Sequence, residues 1–252
     1  MAGMRIFISF QGAESGLAVW CNGHYVGYGE DGFTPSEFEL TEYLVPGENK
    51  LAAQVFQYTN ASWMEDQDFF RFSGIFREVF LYAVPAVHVR DMKITTPLAD
   101  GFASGEVRVA LEAAGEGHAA LRLYEGETQI AGSSISLPTE SEAVLPVDHP
   151  RLWSAEKPFL YRLSIEVFDA SGALTETVRE TVGLRRFEIR DGLMLLNGRR
   201  IRFQGVNRHE FSSVSGRCVS EAELRKDLET MKQNNINAIR TCHYPDGSLI
   251  YR

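Results

Sequence analysis

Cysteine is scarce in this 252-residue chain: Cys21, Cys218 and Cys242 are odd in number, widely spaced, and form no Cys-x-x-Cys pair. That pattern excludes a disulfide-framed scaffold and fits a reducing compartment. Long apolar runs are also missing, so no segment has the length needed to span a bilayer. Residues 4–10 begin like a signal peptide. Their apolar run is short, however, alternates with polar residues and meets Gln11 and Glu14 at once, so a strand is expected there. Positive charge is in deficit, with 25 Lys and Arg against 34 Asp and Glu and a net charge of −9. No basic stripe is available to displace counterions from phosphates, which argues against a nucleic-acid partner. Low-complexity tracts and convincing internal repeats are lacking too. What remains is the composition of an ordinary soluble protein, 44% hydrophobic and 23% charged, long enough for one large domain or two to three smaller ones. A cytoplasmic location is expected.

The chain begins as a series of short alternating runs. Residues 5–10, 17–20, 25–28, 38–44 and 49–56 read as strands. Asn22-Gly23 is a hairpin signal because both residues tolerate positive φ, and Pro46-Gly47 marks another turn. Such a series suggests a sandwich or jelly roll, with few strands for a complete one. Residues 65–77 break the rhythm: Glu65, Asp66 and Asp68 fall within four residues, followed by Phe69, Phe70, Arg71 and Arg77. On residue type alone a solvated loop with local ion pairs outweighs a ligand site. Carboxylates beside aromatic rings are nevertheless also how proteins hold sugars, with the ring on the apolar sugar face and the oxygens on its hydroxyls.

From residue 87 to 187 the pattern stays β, with candidate strands at 87–94, 105–111, 119–124, 142–147, 160–168 and 175–184. Turn signals at Asp100-Gly101, Glu125-Gly126 and Ser171-Gly172 have the spacing of an immunoglobulin-like sandwich. Trp153, Phe159 and Tyr161 are expected to fill a core or interface.

Past residue 188 the period changes. Gly192 and Asn197-Gly198 predict tight hairpins, and residues 201–206 predict a strand that delivers Asn207, Arg208, His209 and Glu210 at its end. A helix follows, with Ser220 and Glu223 in capping-box positions and Leu224, Leu228 and Met231 at helical spacing. Asn234-Asn235 stops it, and residues 237–241 predict a second strand leading into Cys242, His243, Tyr244 and Pro245. A strand–helix–strand unit of this length closes as a right-handed crossover between parallel strands, putting both polar clusters at the same sheet end. In a β/α barrel that end carries the active site.

The motifs Asn197-Gly198, Gly205-Val206-Asn207-Arg208-His209-Glu210 and Asn237-Ala238-Ile239-Arg240-Thr241-Cys242-His243-Tyr244-Pro245 resemble the opening of the catalytic barrel in family 2 glycoside hydrolases. With Glu65 to Arg77, and with Pro150-Arg151-Leu152-Trp153-Ser154 in the middle domain, the resemblance runs over nearly the whole chain and is most similar to the large bacterial β-galactosidases. It implies a mainly β architecture with a C-terminal α/β piece. Residues 1–86 would be a partial jelly-roll sugar-binding domain, 87–187 an immunoglobulin-like β-sandwich, and 188–252 the first strand–helix–strand segment of a (β/α)8 TIM barrel. It further implies that Asp68 contacts galactose hydroxyls and helps hold a monovalent cation, sodium, and that His243 contacts the sugar ring. Arg240 could orient a catalytic carboxylate. Both catalytic glutamates and the magnesium ligands would lie beyond Arg252, so this chain alone is expected to be inactive and to associate with a remaining barrel segment or form oligomers.

Three other readings compete: a stand-alone carbohydrate-binding module using Asp66 to Phe70, an assembly fragment, and a family 2 enzyme for another sugar. Metal ligation by His209, Glu210 and His243 is a further idea, and it matches no zinc spacing signature. A Cys242/His243 nucleophile pair is disfavoured, because neighbouring strand residues point to opposite faces.

Overall fold

The computed structural model describes residues 3–64, 67–139 and 142–251. By contacts the chain forms two compact units, one from residues 3–83 with 203–252 and the other from 84–202.

The first unit opens with β1 (Arg5–Phe10), β2 (Ala13–Glu14), β3 (Gly16–Cys21) and β4 (His24–Gly29). The expected Asn22-Gly23 hairpin is present, with φ of 52° and 83° at the two residues. Next come β5 (Ser36–Glu39), β6 (Leu51–Phe56), the short helix α1 (Asn60–Met64), β7 (Gly74–Ile75) and β8 (Val79–Val84). Strands β5-β1-β8 and β4-β3-β6 make two three-stranded sheets, with β5 antiparallel to β1 and both β4 and β6 antiparallel to β3. Alternation in β1 and β3 turns Ile8, Phe10, Leu17, Val19 and Cys21 into one apolar core between them.

The second unit is built from β9 (His88–Thr95), β10 (Ser104–Ala114), β11 (Gly117–Glu125), β12 (Thr128–Leu137), β13 (Glu142–Asp148), β14 (Tyr161–Asp169) and β15 (Leu174–Val182). Sheets β13-β10-β9 and β12-β11-β14-β15 form the sandwich. Its core takes every second residue: Val107 and Val109, Leu121 and Leu123, Leu163 and Ile165. Strand β12 was not among the sequence expectations. Its Gly-Ser-Ser centre has little β propensity, and pairing with β11 from Gly117↔Leu137 to Glu125↔Thr128 holds it instead. Tyr161 lies in the core and Phe159 packs on it, whereas Trp153 covers Gly183. A three-stranded meander completes this unit: β16 (Phe187–Arg190), β17 (Leu193–Leu196) and β18 (Arg199–Arg200). The expected tight turns occur, with positive φ at Asp191, Gly192, Asn197 and Gly198.

The chain then returns to the first unit with β19 (Gly205–Arg208), helix α2 (Glu221–Gln233) and β20 (Ala238–Thr241). The two strands pair in parallel, Asn207 facing Arg240 and Arg208 facing Thr241. The first strand begins later than its apolar run suggests. Residues 201–204 lie outside it, and Asn207 and Arg208 belong to it, because pairing with β20 sets its limits. The capping box forms in full: the Ser220 hydroxyl accepts from Glu223 N, and the Glu223 carboxylate accepts from Ser220 N. Asn234 ends α2, and Asn235 takes φ of 58°. Of the expected apolar stripe Leu224 is buried, while Leu228 stays exposed. Among the described residues no helix is long and apolar enough to cross a membrane.

Candidate functional site

The C-terminal ends of β19 and β20 carry the polar residues, as the parallel crossover requires. His209 and Glu210 follow the first strand; Cys242, His243 and Tyr244 follow the second. The loop after α1 reaches this place through aromatic contacts. Phe69 meets Tyr244 edge-on at 5.2 Å and Phe33 at 5.8 Å, and Phe33 stacks on Tyr244 at 4.4 Å. With Phe76 these rings form a small separate core. Asp68 and His243 each immediately precede one of the touching pair Phe69 and Tyr244, which brings the two loops together at this contact.

Three arginines bind this region together. Arg77 Nη2 donates to Glu210 Oε2 at 2.6 Å and to the Pro245 carbonyl at 2.8 Å, while its Nη1 donates to the Phe33 carbonyl at 2.5 Å. The other Glu210 oxygen accepts from Gly247 N at 2.9 Å. The approach is close: a Cβ at position 247 would come within 3.1 Å of Glu210 Oε1 and press on that carboxylate. Glu210 is thus a fully engaged strand-end anchor with no free proton-transfer role, and its ion partner is Arg77 rather than its neighbour Arg208. Buried Arg208 instead reaches Asp246 at 2.8 Å and Asp227 of α2 at 3.1 Å. Burial pushes the Asp246 carboxyl above its ordinary range, against the pull of the Arg208 charge.

Arg217, in the loop before α2, is the third. Its guanidinium lies among the rings of Tyr244, Phe33, Phe69 and Phe72, at 4.4, 5.3, 5.3 and 5.5 Å from their centroids. It also donates to the Phe70 carbonyl and faces Glu14 across 3.7 Å. Burial raises the Glu14 carboxyl, with Arg217 opposing, and burial likewise raises the Tyr244 phenol. Nothing local in the sequence marks Arg217: its polar partners Phe70 and Glu14 lie 147 and 203 residues away in the chain.

Of the residues singled out in the sequence, Asp68 is exposed, with no hydrogen bond or ion pair to it among the described residues. Arg240 is exposed, and its Nη2 lies 3.3 Å from half-buried His243 Nδ1. Asp66 lies outside the described residues. The expected opposition of Cys242 and His243 does not hold. A ring nitrogen from each of His209 and His243 and the Cys242 sulfur all lie within 4.8 Å of one another. Strand alternation does not govern them, because β20 ends at Thr241.

The architecture is a mainly β chain that ends in a strand–helix–strand unit of the kind that opens a β/α barrel. Family models agree along the chain. Residues 1–85 match the sugar binding domain of glycosyl hydrolases family 2, residues 87–185 match the family 2 model itself, and residues 187–252 match its TIM barrel domain. The chain belongs to glycosyl hydrolases family 2. It is 46% identical to a β-galactosidase of Halalkalibacterium halodurans, over 100% of this chain and 25% of that protein. It is 44% identical to a β-galactosidase large subunit of Leuconostoc lactis, over 97% of this chain and 40% of the relative. A solved β-glucuronidase from Ruminococcus gnavus shares the fold with TM-score 0.88 and 26% identity, over 99% of this chain and 45% of that one. The chain therefore spans about a quarter to two fifths of the curated relatives it matches.

Proposed function

We propose that this chain is the sugar-binding and barrel-entry part of a retaining β-galactosidase, which hydrolyses terminal non-reducing β-D-galactose residues of lactose-type substrates. The observation that carries this reading is the Phe69–Tyr244 contact, which joins the loop carrying Asp68 to the loop carrying His243 at the C-terminal end of a parallel strand pair. Asp68 accepts hydrogen bonds from sugar hydroxyls, and a His243 ring nitrogen contacts the same ring. Arg240 orients a carboxylate supplied by the remaining barrel.

An exposed carboxylate is a hard oxygen donor, so Asp68 suits a sodium ion as one of several oxygen ligands. Magnesium is expected in the complete enzyme, and no residue of this chain is assigned to it.

Retaining hydrolysis needs two carboxyl groups about 5–5.5 Å apart. The buried carboxylates around the strand ends are committed to arginines: Glu210 to Arg77, Asp246 to Arg208 and Glu14 to Arg217. Nucleophile and acid/base therefore come from barrel strands that this sequence does not include, and the chain alone is inactive. Subunit association in the complete enzyme is supported by the relative named as a large subunit.

A galactoside is favoured over a glucuronide. The more similar relative, at 46% identity, is the β-galactosidase, and the acidic stretch around Asp68 would repel a uronate. The test is hydrolysis of a chromogenic β-galactoside by this chain, alone and mixed with a separately expressed remainder of a related β-galactosidase. No turnover alone, turnover on mixing, and its loss in Asp68→Ala are expected. Turnover by the chain alone would overturn the assignment of the missing carboxyl pair, and full activity of Asp68→Ala would overturn the role of Asp68.

A further inference from the structure

Asp68 makes no hydrogen bond or ion pair among the described residues, so the backbone of its loop decides where its carboxylate points. That backbone has no ladder to hold it, since residues 67–73 belong to no strand or helix. Two of its hydrogen bonds are local: Phe69 N donates to the Gln67 carbonyl at 2.8 Å, and Arg71 Nη2 to the Ser62 carbonyl at 2.9 Å. A distant hold comes from Arg217, which donates to the Phe70 carbonyl and lies over the rings of the residues on either side, Phe69 and Phe72. The same guanidinium lies over Tyr244, the residue after His243, at 4.4 Å.

Arg217 is itself presented from a stiff base. Ser212 N and Gly216 N each donate to the other's carbonyl, at 2.7 and 2.9 Å, Val219 N donates to the Arg217 carbonyl at 3.0 Å, and the capped helix α2 begins at Glu221. The ion pair explains little of why an arginine stands there. Arg217 Nε is 3.7 Å from Glu14, beyond hydrogen-bond length, and both side chains are 3% exposed, so desolvation offsets much of their attraction. With Glu14 neutralised as well, an apolar side chain of similar volume would fill the ring cage about as stably. It would not hold the Phe70 carbonyl.

We propose that Arg217 is a positioning residue for the sugar, holding the loop that carries Asp68 against the loop that carries His243 so that both meet one galactose ring. The inference rests on the galactoside reading above. A guanidinium suits the task, because its face packs on rings while its edge donates to a carbonyl. Its loss disturbs binding contacts and leaves the distant carboxyl pair in place, so the effect falls on KM rather than on kcat.

The experiment assays the double variant Glu14→Gln/Arg217→Met, as the full chain mixed with the separately expressed barrel remainder, on a chromogenic β-galactoside. This variant leaves no unpaired buried charge, so an arginine of purely structural value would be replaced without loss. A KM raised about tenfold or more, with kcat within about threefold of the parent, is expected. Arg217→Lys keeps a charge opposite Glu14 and should show a smaller rise. A double-variant KM equal to the parent's, or a fall in kcat with KM unchanged, would overturn the role. Should the double variant fail to fold by circular dichroism, Arg217→Lys carries the test, and a parental KM there overturns it. A second readout needs no turnover: mild chymotrypsin digestion of the full chain, with cleavage after Phe70 followed by mass spectrometry. Cleavage at least about tenfold faster than in the parent is expected once the loop is released, and an unchanged rate would overturn the hold. If the parent mixture shows no turnover, or Asp68→Ala keeps full activity, the galactoside reading is what fails, and the digestion by itself decides whether Arg217 holds the loop.

Discussion

In the sandwich of residues 84–202, Val107, Leu123, Leu163 and Ile165 are wholly buried, and the interior is a continuous apolar layer between two sheets. In the unit formed by residues 3–83 and 203–252, the jelly-roll core is apolar too, but the return of the chain at β19 and β20 is held differently. There Arg77, Arg208 and Arg217 are buried or half-buried against Glu210, Asp246 and Glu14, with a few aromatic rings between. Two parts of one chain thus use opposite chemistries. An apolar layer is tolerant, because most large side chains of similar volume can fill it. A buried ion network is not, because each charge is stable only while its partner is present. Such a network ties loops far apart in sequence to one another, and here the loops it ties are those carrying Asp68 and His243.

The largest expected effect is at the network. Arg77→Ala leaves Glu210 buried beside an empty place and should cost about 3–5 kcal/mol in chemical denaturation. Arg77→Lys should recover only part of it, because one ammonium cannot serve Glu210, Pro245 and Phe33 in the planar geometry of a guanidinium. A tolerated Arg77→Ala would break the contrast between the units.

In the sandwich, Leu163→Ala should cost about 2–5 kcal/mol by the same measurement, through lost transfer energy and the cavity left behind. Leu163→Met should cost less than about 1.5 kcal/mol, showing the tolerance that the network lacks. Ser220→Ala removes the capping box of α2 and should cost about 0.5–2 kcal/mol.

The smallest effect is a slope with pH, and its sign differs between two carboxylates of the same unit. Burial raises the folded-state pKa of Glu14 above its ordinary 4.5. In the window above that value the folded form holds the proton more tightly than the unfolded chain, so this group's contribution to stability falls as pH rises through the window. Glu223 behaves in the opposite way. Hydrogen bonds from Ser212 and then Ser220 lower it to about 2, so its contribution is present above 4.5 and is lost as pH falls toward about 2. Urea unfolding across pH should show Glu14→Gln removing the first slope and Ser220→Ala reducing the second. An unchanged profile in Glu14→Gln would mean that its carboxyl is not penalised by burial.

Much of this was legible from local pattern. Alternation gave β1, β3 and most of the sandwich strands, Asn22-Gly23 gave its hairpin, and Ser220 with Glu223 gave the start of α2. Strand β12 was not legible, because its Gly-Ser-Ser centre has no intrinsic preference for the strand that β11 imposes on it. Nor was the start of β19, since Ile201 and Phe203 extend the apolar run past the point where a partner strand exists. At the candidate site Asp68, Arg240 and His243 stood out by residue type and motif. Arg217 did not, and Cys242 was set aside on an alternation rule that ends with the strand at Thr241.

The sequence by itself determined the periodicities: where the chain is β, where it turns, where one helix is capped, and that two polar clusters share one sheet end. These follow from side-chain size, backbone freedom and hydrogen bonding within a few residues. Only the tertiary structure decided that Arg77 takes Glu210, that Arg217 closes the Phe69 and Tyr244 loops around itself, and that Cys242 joins His209 and His243. Apart from the neighbours Cys242 and His243, those pairings span from 27 residues, between Arg217 and Tyr244, to well over 100, and no local preference can choose among partners that meet only when distant segments fold together.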